Sequence, residues 1–113
     1  HVNNVVYLDY LQEARLRALM QIDYADILKL SQVMAHQSIE FRKPILYSTD
    51  PLTIKVWISS VGNTSYRMKY RIFNEVGELA AEAESVMVCF DNDKAVSIPD
   101  KLRSALQSIL EVE

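Results

Sequence analysis

The stretch VVYLDYLQEARLRALMQI, residues 5–22, contains neither Gly nor Pro and is dominated by Leu, Ala, Glu, Gln, Arg and Met. These side chains lose little freedom on a helical backbone, so the stretch predicts a helix of about five turns. Asn3 or Asn4 suits the N-cap, its side-chain oxygen accepting from an otherwise unpaired N–H. Asp9, Glu13 and Arg17 recur at i, i+4 and share one polar face, with Glu13 ahead of Arg17 in the favourable order. Most of the remaining circumference is apolar: Val6, Tyr7, Leu8, Leu11, Ala14, Ala18, Leu19 and Ile22. A helix with so wide an apolar surface requires something to wrap it.

Beyond the helix the period falls from 3.6 to 2. Val33, Ala35, Gln37, Ile39 and Phe41 alternate with Met34, His36, Ser38, Glu40 and Arg42. Leu52, Ile54, Val56 and Ile58 alternate with Thr53, Lys55, Trp57 and Ser59, and Tyr66, Met68, Tyr70 and Ile72 with Arg67, Lys69 and Arg71. These patterns predict strands with one buried and one solvated face. Gly62-Asn63 marks a tight turn and Asn74–Glu78 a second reversal. A long strand over 79–90 carries Glu82 and Glu84, the natural cross-strand partners of Arg67, Lys69 and Arg71. Asp91-Asn92-Asp93 ends it. A short strand over 95–98 follows, then a helix from Pro99 or Asp100 to Leu110. A helix followed by an antiparallel meander is an α+β arrangement, a single domain over residues 1–113.

Composition excludes several function classes. The 113 residues are 50% apolar and 24% charged, with 2 Gly and 3 Pro, which leaves little room for linkers. The net charge is −3 and no basic run stands out, so nucleic acid is a poor partner. No apolar run approaches the roughly 20 residues that span a bilayer. The lone Cys89 cannot form an internal disulfide, which fits a reducing compartment such as the cytoplasm. The chain opens on His1-Val2-Asn3-Asn4 without an initiator Met, directly ahead of the helix. The natural chain is therefore expected to begin upstream, leaving this domain incomplete at its N-terminus.

Four segments, in order, resemble the 4-hydroxybenzoyl-CoA thioesterase-like family. His1-Val2-Asn3-Asn4-(x2)-Tyr7-Leu8-(x4)-Glu13-Ala14-Arg15 resembles the opening of its long helix, and Glu40-Phe41-Arg42-Lys43-Pro44 its second strand and exit. Val61-Gly62-Asn63-Thr64-Ser65 resembles its hairpin, and Val86-(x)-Val88-(x2)-Asp91 with Ile98-Pro99 its closing segment. The resemblance implies a hotdog fold, a long central helix wrapped by a curved antiparallel sheet whose first strand would lie ahead of residue 1. It also implies hydrolysis of an acyl-CoA or related acyl thioester, without metal or cofactor. The expected assembly is a homodimer paired edge to edge, or a homotetramer, with sites at the interface. In that family the helix is usually preceded by Asp-x-x-Gly-His-Val-Asn-Asn, so the catalytic Asp would sit just upstream of residue 1.

Thioester hydrolysis asks little of a protein. A coenzyme A thiolate leaves with a pKa near that of free cysteine, about 8.5, and needs little general-acid help. What is required is a carboxylate, as nucleophile or as base for water, and polarisation of the carbonyl. Free N–H groups at a helix N-terminus supply the latter without any special side chain. The resemblance thus names His1, Asn4 and Tyr7 as catalytic candidates, with the Asn4 backbone N–H facing the carbonyl oxygen. It names Val61, Gly62, Asn63, Thr64, Ser65, Arg42 and Lys43 as substrate-binding candidates.

Plainer roles stand beside these. Asn3 and Asn4 serve equally as caps, Tyr7 as a core or pocket-wall residue, and His36 as a sheet-face residue. Asp9 or Glu13 would carry the carboxylate in another hotdog subgroup, whose His-Gly-Gly signature is missing here. Cys89 on an alternating strand reads as packing. No Ser-His-Asp order, phosphate-binding glycine loop or metal-ligand cluster is visible. A non-catalytic acyl-thioester binding module is the main alternative; a hydratase or dehydratase would need a paired His and acid on the helix.

Overall fold

The computed structural model describes residues 4–21, 31–43 and 53–111, with side chains from residue 8 onward. Expectations resting on His1, Asn3, Ile22, Pro44 and Leu52 lie outside these residues. The elements are α1 (Asn4–Met20), β1 (Gln32–Phe41), β2 (Thr53–Val61), β3 (Ser65–Phe73), β4 (Leu79–Asp91), β5 (Lys94–Ala95) and α2 (Asp100–Ser108). An antiparallel sheet in the order β1-β4-β3-β2 carries both helices, and β5 pairs with the end of β4. This is the α+β architecture expected of a hotdog fold.

Helix α1 buries a narrow stripe, Leu11, Arg15 and Leu19, at i, i+4, i+8. The stripe meets a core built from alternate residues of the central strands, Tyr66, Met68, Tyr70 and Ile72 of β3 with Ala81, Ala83, Met87 and Cys89 of β4. Helix α2 closes the same core with Leu102 and Leu106, and Leu110 just beyond it bridges to Ile58 of β2. The sheet covers α1 along that stripe, as expected of the hotdog fold. Leu8, Leu16 and Met20 stay exposed, because one sheet covers one side of a helix and no more.

On the opposite face of the sheet the anticipated charge ladder is present. Lys69 opposes Glu84 and Arg71 opposes Glu82, while Arg67 Nη1 reaches Glu84 Oε1 at 3.0 Å. Asn74 shapes the β3–β4 turn, its Oδ1 accepting from the N–H groups of Val76 and Glu78 at 3.1 and 2.9 Å. Gly77 completes that turn at φ +82°, a conformation side chains resist.

Several readings need correction. A bulge between Met34 and His36 shifts the register, so Gln32 and Met34 share a face with Gln37, Ile39 and Phe41, and Val33 moves to the other. Strand β1 is also an edge, and Val33, Met34 and Phe41 are exposed rather than half-buried. Trp57, placed by alternation on the solvated face, is only 7% exposed. Lys55 and Arg71 lie over its ring at 5.5 and 5.2 Å from the centroid, a cation–π cover that excludes water. The strand expected at 95–98 is only Lys94–Ala95, joined to β4 by Asn92 and Asp93, both at positive φ.

Candidate active site

Asn4 is the first residue of α1. The first N–H groups of any α-helix lack intrahelical acceptors and carry the positive end of its dipole, so this terminus can polarise a carbonyl. The side chains of Asn4 and Tyr7, and all of His1, lie outside what the structure describes. Further along, the buried stripe Leu11, Arg15 and Leu19 seats α1 on the sheet.

Arg15 is the feature the alternation patterns missed. It is 9% exposed, and its Nη1 donates to the Tyr70 hydroxyl at 3.3 Å. Tyr70 lies 2.7 Å from the hydroxyl of the fully buried Ser85, and Ser85 Oγ donates to Gln37 Oε1 at 3.3 Å. A guanidinium can only donate, and the one Ser85 hydroxyl proton goes to Gln37, so the direction of this chain is set from both ends. Tyr70 accepts from Arg15 and donates to Ser85, and Ser85 donates to Gln37. Gln37 Nε2, buried and without a partner among the described residues, is the end of the line. The chain ties α1 to all three strands on the β1 side of the sheet. Beside it Tyr66 donates to Gln32 Oε1, and burial, its largest perturbation, pushes the Tyr66 phenol well above its ordinary pKa. The sequence did hold a signal: Arg15 stands four residues from both Leu11 and Leu19, and Ser85 alternates in step with Ala83 and Met87.

The hairpin joining β2 to β3 is held from behind by α2. Arg103 Nη1 donates to the carbonyl of Gly62 at 2.8 Å and Nη2 to that of Asn63 at 2.9 Å. Ile98 N also donates to the Asn63 carbonyl at 2.9 Å, and Ser97 Oγ to Asn63 Oδ1 at 3.0 Å. Gly62 N donates to Ser65 O at 2.7 Å and Cys89 N to Thr64 O at 2.9 Å.

Arg42 and Lys43 lie elsewhere. Both donate their backbone N–H to Ala80 O, and their side chains are engaged, Arg42 Nη2 with Glu82 Oε2 at 2.7 Å and Lys43 with Glu78. Ala80 and Cys89 stand nine residues apart on β4, roughly 30 Å along an extended strand. Arg42 and Lys43 therefore sit at the opposite end of the sheet from the 61–65 hairpin, and one protomer does not bring them together.

The remaining candidates take ordinary places. Asp9 is exposed, and Glu13 is held by Arg17 Nη2 at 2.6 Å on the exposed side of α1. His36 Nε2 lies on the outer sheet face, 4.0 Å from Glu84 Oε2. Cys89 is buried, and burial raises its thiol pKa. A trough of about 330 Å³ crosses the outer face between Ser38, Trp57, Lys69 and Glu84. Among the described residues no three His, Cys, Asp or Glu side chains cluster, and no helix is long and apolar enough to cross a membrane.

The family model of the thioesterase-like superfamily matches residues 1–106. The long-chain acyl-CoA thioesterase FadM of Escherichia coli (strain K12) is 30% identical over 116 residues, which cover 97% of this chain and 87% of that one. A thioesterase of Thermus thermophilus, solved in complex with coenzyme A and Zn, is 28% identical. It superposes with a TM-score of 0.82 over 95% of this chain and 84% of that chain. The probable thioesterase YbaW of Escherichia coli is 29% identical, with a TM-score of 0.80 over 98% and 87% of the respective chains.

Proposed function

Because the chain belongs to the thioesterase-like superfamily and is a thioester hydrolase, we propose that it cleaves long-chain acyl-CoA to the free acid and coenzyme A in the cytoplasm, acting as a homodimer. The observation that carries this reading is a helix that opens at Asn4, directly behind the His-Val-Asn motif. Its free N–H groups then receive the thioester oxygen. A carboxylate just ahead of His1 takes a proton from the water that attacks the carbonyl carbon, or attacks that carbon itself to form a mixed anhydride that water then hydrolyses. The C–S bond breaks, and the thiolate leaves with its electron pair. His1 and Tyr7 are the further candidates for assisting this step.

An acyl chain needs apolar walls. Leu8, Leu16 and Met20 on α1, and Met34 and Phe41 on β1, are exposed and offer such surface. The name of the Escherichia coli relative supports a long chain. Pairing of β1 with a partner's β1 would satisfy an edge along which no other described strand runs on the outer side. Such two-fold pairing is antiparallel, so it sets the Arg42–Lys43 end of one protomer beside the hairpin end of the other. That arrangement supports both groups as substrate contacts across an interface.

The test is Asn4→Pro. Proline lacks the N–H but is tolerated at the first helical position. The reading expects kcat on palmitoyl-CoA to fall by roughly 100- to 1,000-fold, the loss seen when one oxyanion donor is removed, with little change in melting temperature. Unchanged turnover would refute this use of the helix terminus.

A further inference from the structure

The trough on the outer face of the sheet crosses from β1 to β2 and sorts its charges along its length. Glu40 of β1 and Glu82 and Glu84 of β4 line one half, while Lys69 and Arg71 of β3 and Trp57 of β2 line the other. The register builds this order. Ser38, Glu84, Lys69 and Trp57 form one cross-strand row, and Glu40, Glu82 and Arg71 form the row beside it. Trp57 marks the basic end. It is 7% exposed, and its Nε1–H is buried without an acceptor among the described residues. Lys55 and Arg71 lie over the ring, so the donor at the ring edge is the group left unmet. An unmet buried donor is costly, and an anionic oxygen held beside the neighbouring cations would meet it.

We propose that this trough is a binding site for a small ω-amino carboxylate, its carboxylate at Trp57, Lys69 and Arg71 and its ammonium at Glu40, Glu82 and Glu84. A simple anion would suit the Trp57 end but face three carboxylates at the other, and a simple cation would leave the indole N–H unmet. Glu82 and Glu84 already meet Arg42 and Arg67. A carboxylate has about four lone-pair sites, which leaves room for an ammonium as well. Strands about 4.8 Å apart set the mid-lines of the two halves about 10 Å from each other. An extended chain of seven bonds spans roughly 8 Å at about 1.2 Å per bond, and hydrogen bonds at its two ends cover the rest. The volume of about 330 Å³ is enough for such a molecule. The site lies on the face of the sheet away from α1 and is independent of the thioester chemistry.

Trp57 is the one tryptophan of the chain, so its emission reports on the trough directly. ε-Aminocaproate, glycine, caproate and hexylamine are titrated against wild type, Lys69→Met, Glu84→Gln and Trp57→Phe, by calorimetry and, where Trp57 is present, by fluorescence. ε-Aminocaproate is expected to bind wild type saturably and to shift the Trp57 emission. Caproate and hexylamine, each lacking one charge, and glycine, too short to reach both halves, should bind at least about ten-fold more weakly. Lys69→Met and Glu84→Gln each remove one charged contact on a solvated face, and Trp57→Phe keeps a ring but drops the N–H. Each should weaken ε-aminocaproate roughly ten-fold while the far-ultraviolet circular dichroism stays that of wild type. No binding of ε-aminocaproate by either readout would overturn the proposal. So would equal affinity for caproate or hexylamine, or an affinity unchanged in both Lys69→Met and Glu84→Gln.

Discussion

Arg15 and Tyr70, 55 residues apart in the chain, meet in the core at 3.3 Å, guanidinium to hydroxyl. A buried cation is costly unless its donors are met, so Tyr70 is the residue that makes Arg15 tolerable there. Tyr70→Phe removes the acceptor and breaks the chain to Ser85 in one step. It is expected to cost about 1–3 kcal/mol, the penalty of stranding a buried polar group. Arg15→Met, which removes the charge and keeps an apolar stem of similar length, should cost less than Tyr70→Phe. Urea denaturation of both variants and the double mutant checks this, and strong non-additivity is the expected signature.

Acid sensitivity is written into the ion pairs at the Arg42–Lys43 end of the sheet. The hydrogen bond from Arg42 holds the Glu82 carboxyl below its ordinary pKa, and the hydrogen bond from Lys43 does the same for Glu78. A carboxylate whose folded pKa is depressed stabilises the protein above its unfolded value of about 4.3, and that stabilisation is lost as pH falls through the lower folded value. Stability is thus expected to decline below roughly pH 4.5. Glu82→Gln should shallow that decline while leaving the neutral-to-alkaline limb unchanged. Glu78 is exposed and Glu82 half-buried, so the effect is small and fades in salt. Melting temperatures across pH at two ionic strengths measure it.

Cys89 is fully buried, and burial raises its thiol pKa against the opposing pull of Arg103. The thiol therefore stays protonated and enclosed at neutral pH and is a poor nucleophile. An aromatic disulfide reagent should modify the native protein at least about a hundred-fold more slowly than the urea-unfolded chain, as expected when access requires opening. Fast modification in the folded state would contradict the packing described. The same property keeps the protein's own thiol silent in a thiol-release assay.

The elements themselves were legible in the sequence because each obeys a local rule. Helix α1 reads from composition, β3 and β4 from strict alternation, and the turns from Gly62-Asn63 and Asn74. The parity of β1 was not, because a bulge at Met34–His36 inserts a residue that no periodicity announces. Trp57 lies on the outer face, opposite Lys69, as alternation has it, yet it is buried there. Alternation assigns a face but not what Lys55 and Arg71 do once folded over it. At the candidate site, the helix motif pointed to Asn4, whereas Arg103 carries no sequence signal. Its role exists only because α2 folds back onto the hairpin, 40 residues earlier in the chain.

The most direct measurement is coenzyme A release from a panel of short, long and aromatic acyl-CoAs by the full-length protein. Turnover is expected, highest on long acyl chains and roughly 100-fold or more lower in Asn4→Pro. A folded dimer that binds coenzyme A yet releases none from any member of the panel would contradict it.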